Sequence, residues 1–455
     1  MSDLMSLLSI GAASLAAQNS GVAVASNNVA NANTVGYSRE RVDLEAMIGA
    51  PNLGGVRSND PQRYADELLG NRIRLAAGSL AMAKSSASAL ADLQDAVSSN
   101  GATVDEQLAT LFSDLGQVSA SPTDSSLRDQ AVTAQRELVA GIRRRAAAID
   151  DQRQQANERI IDNSNGASQL AKQLASLNLQ IQKNGADPML KDQRDQIATQ
   201  LSQLVGGSAH TDANGQMRFI LDGGAVVVDG VAASKIETAT DPTTGNAIVQ
   251  VVDGATRRDV TQQIAGGAIG ADVSARDKSI AGAAAGLDQL AYDISTKLNA
   301  VHAGNAGLDG VNGRNMFVQP TQVAGAAASM AVDPALDADP SKLAAAAPGA
   351  GPGDNTGALA LYNLASQGVA AGGKTLGNAA IDLATSVGTQ ASNANSDAKG
   401  DQIISDHLPG LRDSLSGVDV QEELTNLSKF QNAASAMTKL ISTIDAMLGD
   451  FISKV

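Results

Sequence analysis

The chain has 455 residues and a formal charge of −15, from 48 acidic against 33 basic side chains, a field that repels phosphate backbones and anionic membranes and argues against nucleic acid as a partner. It has no cysteine, which excludes disulfides, thiolate metal sites and cysteine nucleophiles. Only five Phe, four Tyr and no Trp are available, so more than one domain must be built with cores of Ala, Val, Leu and Ile, which suit close helix packing.

The N-terminal stretch LMSLLSIGAASLAA is apolar but lacks the basic start of a secretory signal: Asp3 precedes it and the first Lys or Arg is Arg39. No run of eighteen apolar residues follows, so no membrane span is expected, and the chain is read as cytoplasmic or as exported without a Sec signal. Met1, Leu8, Leu15, Val22 and Val29 repeat every seven residues, with Leu4 and Ala25 beside them, which predicts a helix with an apolar stripe. The helix should stop in NNVANANTVGYSR, where Asn27, Asn28, Asn31 and Asn33 crowd a short run; asparagine is a poor helix-interior residue. Asn27 and Asn31 share a face, and their amides are expected to cap the helix end or to bond a neighbouring chain, with Gly36 supplying positive φ for a turn before Tyr37.

From about 60 to 204 the pattern is helical, as in Leu170, Leu174, Leu177 and Ile181. From about 206 to 272 it changes to short β-branched runs bounded by Gly, Asp and Asn, which predict hairpins. Helical pattern resumes near 275, and a Gly/Pro/Ala-rich stretch over about 303 to 356 reads as loops. At the C-terminus Leu427, Phe430, Ala434, Met437, Ile441, Ile444, Leu448 and Phe451 alternate steps of three and four, a heptad stripe. Burying those side chains does not securely offset the entropy of ordering some thirty residues, so the two ends are expected to need each other and neighbouring chains.

The fold class expected is therefore mainly α with an inserted β domain: terminal helices pairing as a coiled coil, a helical-bundle middle domain and an outer hairpin-rich domain. The expected boundaries are 1–45 and 415–455 for the coiled-coil parts, 46–204 and 274–414 for the helical domain, and 205–273 for the β insertion.

Motifs that could carry chemistry fail one by one. GVAAGGKT, 368–375, matches the phosphate-cradling loop G-x-x-x-x-G-K-[ST], but a working site needs a buried strand before it and a later strand ending in Asp, and neither is legible. His210, His302 and His407 are far apart, which excludes the HExxH zinc pattern. GLDGVNGRN, 307–315, lacks the spacing of a calcium loop. No G-x-S-x-G elbow occurs. No enzyme, cofactor or metal is expected.

NNVANANTVGYSRERVDLEA resembles the N-terminal signature of bacterial flagellar rod, hook and hook-associated proteins, roughly N-N-[IV]-A-N-x-[NS]-T-x-G-[YF], with Val35 in place of the more usual proline. YADELLGNRIRLAAGS (64–79), SASPTDSSLRDQAVTAQREL (119–138), DPMLKDQRDQIATQLSQLV (187–205), LNAVHAGNAGLDGVNGRNMF (298–317), GDNTGALAL (353–361) and residues 416–448 are similar to the hook-associated family of the hook–filament junction, in that family's order. The chain is short for that family. The resemblance implies a structural subunit that assembles with copies of itself, with the hook protein and with a second junction protein, that is met by an export chaperone at its C-terminal helix, and that leaves the cell by the flagellar type III route. Neither nucleic acid nor membrane is an implied partner. On this reading the assembly surface comprises Leu8, Leu15, Val22, Asn27, Asn28, Asn31, Gly36 and Tyr37 with Leu427, Phe430, Met437, Ile441, Ile444, Leu448 and Phe451. The alternatives are another axial protein, such as a distal rod or hook subunit, and a P-loop nucleotide-binding protein.

Overall fold

The computed structural model describes residues 2–47, 55–98, 101–185 and 187–453. Helix α1 (Ser2–Asn31) is followed by strands β1 (Glu40–Arg41), β2 (Leu44–Ala46), β3 (Val56–Ser58) and β4 (Gln62–Arg63). β1 pairs with β4 and β2 with β3, both antiparallel, so these four strands form one nested ribbon. The ribbon folds back along α1, bringing Gly55 against Ile10. It was not legible in the sequence, where 46–63 was assigned to the helical domain, because strands of two or three residues carry no usable period.

Helices α2 (Glu67–Ser98), α3 (Val104–Ala120), α4 (Ser125–Lys183) and α5 (Pro188–Val205) follow. Their starts are written locally. Thr103 and Glu106 form a capping box on α3, Asp124 accepts from two amides of α4, and Asp187 caps α5 just before Pro188. At 59 residues α4 is about 90 Å long. Strands β5 (Ser208–Thr211), β6 (Met217–Ile220), β7 (Val226–Asp229) and β8 (Ala232–Ala233) make a four-stranded antiparallel meander; β9 (Lys235–Thr240), β10 (Ala247–Asp253) and β11 (Thr256–Asp259) make a three-stranded one. Helix α6 (Gly267–Ser274) then runs through a π-turn at Ala275–Ile280 into α7 (Ala281–Ala303). Short helices α8 (Ala326–Ser329), α9 (Pro334–Ala338) and α10 (Thr356–Asn363) precede α11 (Leu376–Ser416) and α12 (Val420–Ser453).

The protein is mainly α with small antiparallel sheets in an inserted region. Two apolar cores share α4. The first takes α4 as far as Ala156 and adds α2, α3, α7, α10 and the start of α11. The second begins at Ile160 and continues through α5, both meanders and α6. Hairpins thus appear where the β-branched runs predicted them, but they bury their apolar faces on residues 160–205, so the segment 205–273 has no core of its own. The loop-rich stretch over 303–356 is packed, not loose: Met316, Phe317, Met330, Leu336 and Leu343 are all buried in the first core. Asp309, the calcium-loop candidate, is taken by the guanidinium of Arg314, as a turn-rich loop would have it.

His302 anchors that stretch. Its Nδ1 lies 2.7 Å from the carbonyl of Arg314, to which it donates, and its Nε2 accepts from the amide of Ala344 at 3.0 Å. The bond that Nε2 accepts requires the neutral ring, and burial pushes the imidazole below its usual 6.5. Because the folded value is depressed, the unfolded chain takes up the proton first; this stability is complete above about pH 6.5 and is lost progressively as pH falls from there through the lower folded value. Thermal unfolding of the chain between about pH 8 and about pH 5 should show it: His302→Gln, which does not titrate, removes the corresponding part of the acid slope. Identical slopes in the two proteins would refute it. Buried carboxylates such as Asp272 have raised values and act in the opposite sense, so the comparison with the variant isolates the histidine.

Candidate functional site

The two chain ends meet as an antiparallel pair, α1 against α12: Gly11 lies beside Ile441, Gly21 beside Phe430 and Asn28 beside Glu423. The α12 face is the heptad stripe. Ile444 and Leu448 are buried, Leu427, Phe430, Ala434, Met437 and Ile441 are half-buried, and Phe451 at the end is exposed. The α1 face is not the predicted one. Its buried line is Gly11, Ser14, Ala17, Gly21, Ala25 and Asn28, while Leu8, Leu15, Val22 and Val29 flank it, half-buried, as does Leu4; Met1 lies outside the described residues.

The reason is closeness of approach. A Cβ placed on Gly21 would sit 2.6 Å from the Phe430 ring, and one on Gly11 would sit 3.0 Å from Ile441. The bulk of the interface comes from α12, and α1 supplies the groove. By length and mean hydropathy Asp3–Asn31 is the one helix among the described residues that could cross a membrane; in the fold its small-residue line is covered by α12.

Three of the four asparagines make bonds within the chain. Asn28 is completely buried and all four of its hydrogen-bonding positions are used. Its Nδ2 donates to the carbonyl of Glu40 at 2.8 Å and to Glu423 Oε2 at 3.1 Å, and its Oδ1 accepts from the Glu40 amide at 2.9 Å and from the Tyr37 hydroxyl at 2.8 Å. Asn31 Nδ2 donates to the Asn27 carbonyl and to Asn27 Oδ1, both at 3.1 Å, and Thr34 donates to Asn31 Oδ1. Of the two roles expected of Asn27 and Asn31, these bonds within the chain are those of the helix end. Gly36 has φ of +86°, at the third position of a turn closed by the Tyr37 amide on the Thr34 carbonyl. A Cβ there would also meet Gln196 Nε2 at 2.2 Å.

From this turn a chain of ionic bonds ties the pair to the body. Arg39 donates to Glu423 at 2.8 Å and to Glu422 at 2.6 Å, and its amide donates to the carbonyl of Ser416, the last residue of α11. Ser38 gives both its amide and its hydroxyl to Asp192 of α5, each at 2.8 Å. Arg63 then bridges Asp192 and Asp195 at 3.0 and 2.6 Å. Sequence reasoning missed Arg39, Arg63, Asp192 and Glu423, because charges of opposite sign far apart in sequence carry no local signal.

The electrostatics follow from burial. Desolvation raises the Tyr37 phenol, helped by the carboxylates of Glu40, Asp192 and Glu423, so the hydroxyl stays a donor to Asn28. Burial also raises Asp192, with the Ser38 bonds and Arg63 opposing it. The hydrogen bond to Glu422 raises Arg39, outweighing its desolvation. A cleft of about 440 Å³ opens beside this joint, lined by Gly36, Ser38, Leu69, Ile73, Asp195 and Leu415 among others.

The phosphate-loop match is a turn. The helix α10 precedes it in place of a strand, and the Ala370 amide closes the loop onto the Lys374 carbonyl. Thr375 caps α11, Lys374 pairs with Asp382 at 2.6 Å, and the Ala371 amide donates to Asp293. A carboxylate already occupies the face where a phosphate would need donors.

Asn28→Ala leaves the Glu40 backbone amide and carbonyl and the Tyr37 hydroxyl without their partner in a buried site, and takes one of the bonds from Glu423, which keeps Arg39, at a cost of about 1 to 3 kcal/mol for each unsatisfied group. Asn27→Ala, half-exposed, should cost about 1 kcal/mol or less. Limited proteolysis of the two variants reads the difference: Asn28→Ala exposes the terminal helices to early cleavage while both cores resist, and equal digestion patterns would contradict this account. Lys374→Ala, in contrast, should change folding by less than about 0.5 kcal/mol.

The family model described as the flagellar hook-associated protein FlgK helical domain matches residues 90–317, and that of the flagella basal body rod protein matches residues 8–37. Flagellar hook-associated protein 1 of Bacillus subtilis (strain 168) is 24% identical, aligned over 96% of this chain and 96% of its own length. The protein of the same name from Escherichia coli (strain K12) is 23% identical over 99% of this chain and 100% of its length. Among solved structures, the flagellar hook junction protein FlgK from Burkholderia pseudomallei superposes with a TM-score of 0.69 at 16% identity, covering 76% of this chain and 100% of that one. The chain therefore belongs to the FlgK family of flagellar hook-associated proteins, structural components of the bacterial flagellum.

Proposed function

We propose that this chain is the axial subunit that joins hook to filament, and that its terminal pair α1/α12 forms the inner layer of the assembly. The observation that carries the reading is the pair itself. Its internal seam is closed by the α12 stripe, yet Leu427, Phe430, Met437 and Ile441 stay half-buried and Phe451 exposed, so a lone chain leaves the apolar surface of its ends unfinished. Neighbouring subunits would complete that burial, and a contact of one surface with a different one, repeated about an axis, builds rings or helical turns. Asn27, Asn28, Asn31, Gly36 and Tyr37 then serve assembly indirectly, by fixing the angle at which the pair leaves the body, while Ile444 and Leu448 hold the pair together and Leu8, Leu15 and Val22, half-buried at its flanks, face the neighbouring subunits.

The partners in this reading are further copies of the chain, the hook protein on one side, a second junction protein on the other, and an export chaperone that covers α12 before assembly. The chain reaches the cell exterior by the flagellar type III route. Residues 1–45 and 415–455 act as the coiled-coil layer, 46–204 and 274–414 as the helical layer, and 205–273, with the helices it packs on, as the outer one. The charge of −15 offers nothing to nucleic acid, and no cofactor enters the mechanism.

Ile441→Asp tests the seam. A carboxylate at a stripe position either stays buried at a cost of several kcal/mol or parts the helices, whereas Ser442→Asp, next to it on the exposed side, meets water. Ile441→Asp should abolish motility and capture by isolated hooks with both cores still folded by circular dichroism; Ser442→Asp should retain both. Equal incorporation of the two variants would remove the terminal pair as the assembly element.

A further inference from the structure

The distal half of α11 leaves much of its apolar surface uncovered. Its partly covered residues are Ala398, Asp401, Gln402, Ser405, Leu408 and Arg412, a seam in which small and polar side chains predominate. Beside that seam Ile404 and Leu411, at heptad spacing, are 56 and 42% exposed, Leu415 is 52% exposed at the cleft toward α2, and Ile403 is 73% exposed. A surface helix ordinarily turns such a stripe toward its own core, and a run of exposed leucine and isoleucine of this size marks a contact.

The neighbouring helix carries a matching surface. α2 runs antiparallel to α11, with Leu69, Ile73 and Leu415 lining one cleft, so residues 68–75 lie level with the end of α11. There Leu68 and Leu75 are 77 and 51% exposed, with Arg72 exposed between them at heptad spacing. The α11 stripe is flanked by the exposed acids Asp406 and Asp413; Asp413 pairs with Arg412 at 2.8 Å, Asp406 accepts from Gln402, and among the described residues neither Asp406 nor Arg72 has an ion-pair partner.

We propose that the outward stripe of α11 seats the outward stripe of α2 from a second copy of this chain, with Arg72 of one copy against the acidic flank of the other. Both halves of the contact belong to one chain and lie at one level of the fold, so copies placed side by side bury both at once with little axial offset. That is the condition for a closed ring. Val420 and Leu424, at the start of α12 just beyond the end of α11, are exposed as well, so apolar surface reaches the terminal layer. The inference rests on the assembly role proposed above and extends the subunit contact from the terminal pair onto the body.

Photo-crosslinking in isolated hooks tests it, with Ile404 replaced by benzoylphenylalanine. The expected product is a dimer of this chain in which the modified residue is joined to the segment 64–79 of the second copy. Attachment only to another protein, attachment to a different segment, or no crosslink in hooks that contain the variant would each overturn the proposal. Ile404→Lys with Leu411→Lys should lower incorporation by about tenfold or more, since two apolar side chains lose their burial, while leaving thermal unfolding of the free chain unchanged because both sites are exposed in it. Normal incorporation of that double variant beside failure of Ile441→Asp removes the lateral contact alone. Normal incorporation of Ile441→Asp removes the assembly reading beneath it.

Discussion

One buried amide sets the geometry on which the rest of the architecture depends. Asn28 holds four partners that come from three parts of the chain: the turn at Tyr37, the backbone at Glu40 and the carboxylate of Glu423 on α12. An amide presents two donors and two acceptors in one plane, and no other uncharged side chain of that length does so. Because every position is filled, the orientation of α12 on α1, the start of the ribbon and the turn are decided together. A half-satisfied network at this depth would cost more than an apolar contact, so the arrangement has one solution.

The second constraint is steric. Two helices with large residues on both faces settle at 8 to 10 Å, whereas α1 admits Phe430 and Ile441 onto Gly21 and Gly11. The scarcity of aromatic residues in the whole chain makes this use of Phe430 telling: one of only five phenylalanines sits where the partner helix has no side chain at all. Glycine in a helix costs stability, about 1 kcal/mol relative to alanine, and the close packing against α12 offsets it.

How far the sequence discloses this depends on the range of each interaction. The C-terminal stripe was legible because its period is written in large residues that meet a neighbour of no special pattern. The N-terminal stripe was misplaced for the converse reason: Leu8, Leu15 and Val22 attract the eye, while the line that makes contact consists of Gly, Ser and Ala, which carry almost no hydropathy signal. The Gly36 turn and the hairpins of 208–259 were readable from local chemistry, since positive φ and two-residue alternation leave marks within a few positions. The ribbon of β1–β4 and the bridge Ser38–Asp192–Arg63 were not. Their partners lie far apart in sequence, and nothing in either segment names the other.

The joint is ionic while the bodies on either side are apolar, and that difference shapes how the molecule comes apart. No residue of α1 or α12 belongs to either core. The terminal pair is held to the body through Asp192, Asp195, Arg63 and Arg39, groups whose net gain is small once desolvation is counted. Local unfolding free energies therefore step down from the cores to the ends, so that the pair can open while both cores persist. Burial raises Asp192, so moderate acid favours its folded, protonated form and does not by itself release the latch. An element that is weakly held alone, precisely aimed by a buried amide and unfinished in its apolar burial gains most from identical neighbours. Each neighbour removes exposed surface without having to create the geometry, and the entropy of ordering the ends is met at the moment of assembly.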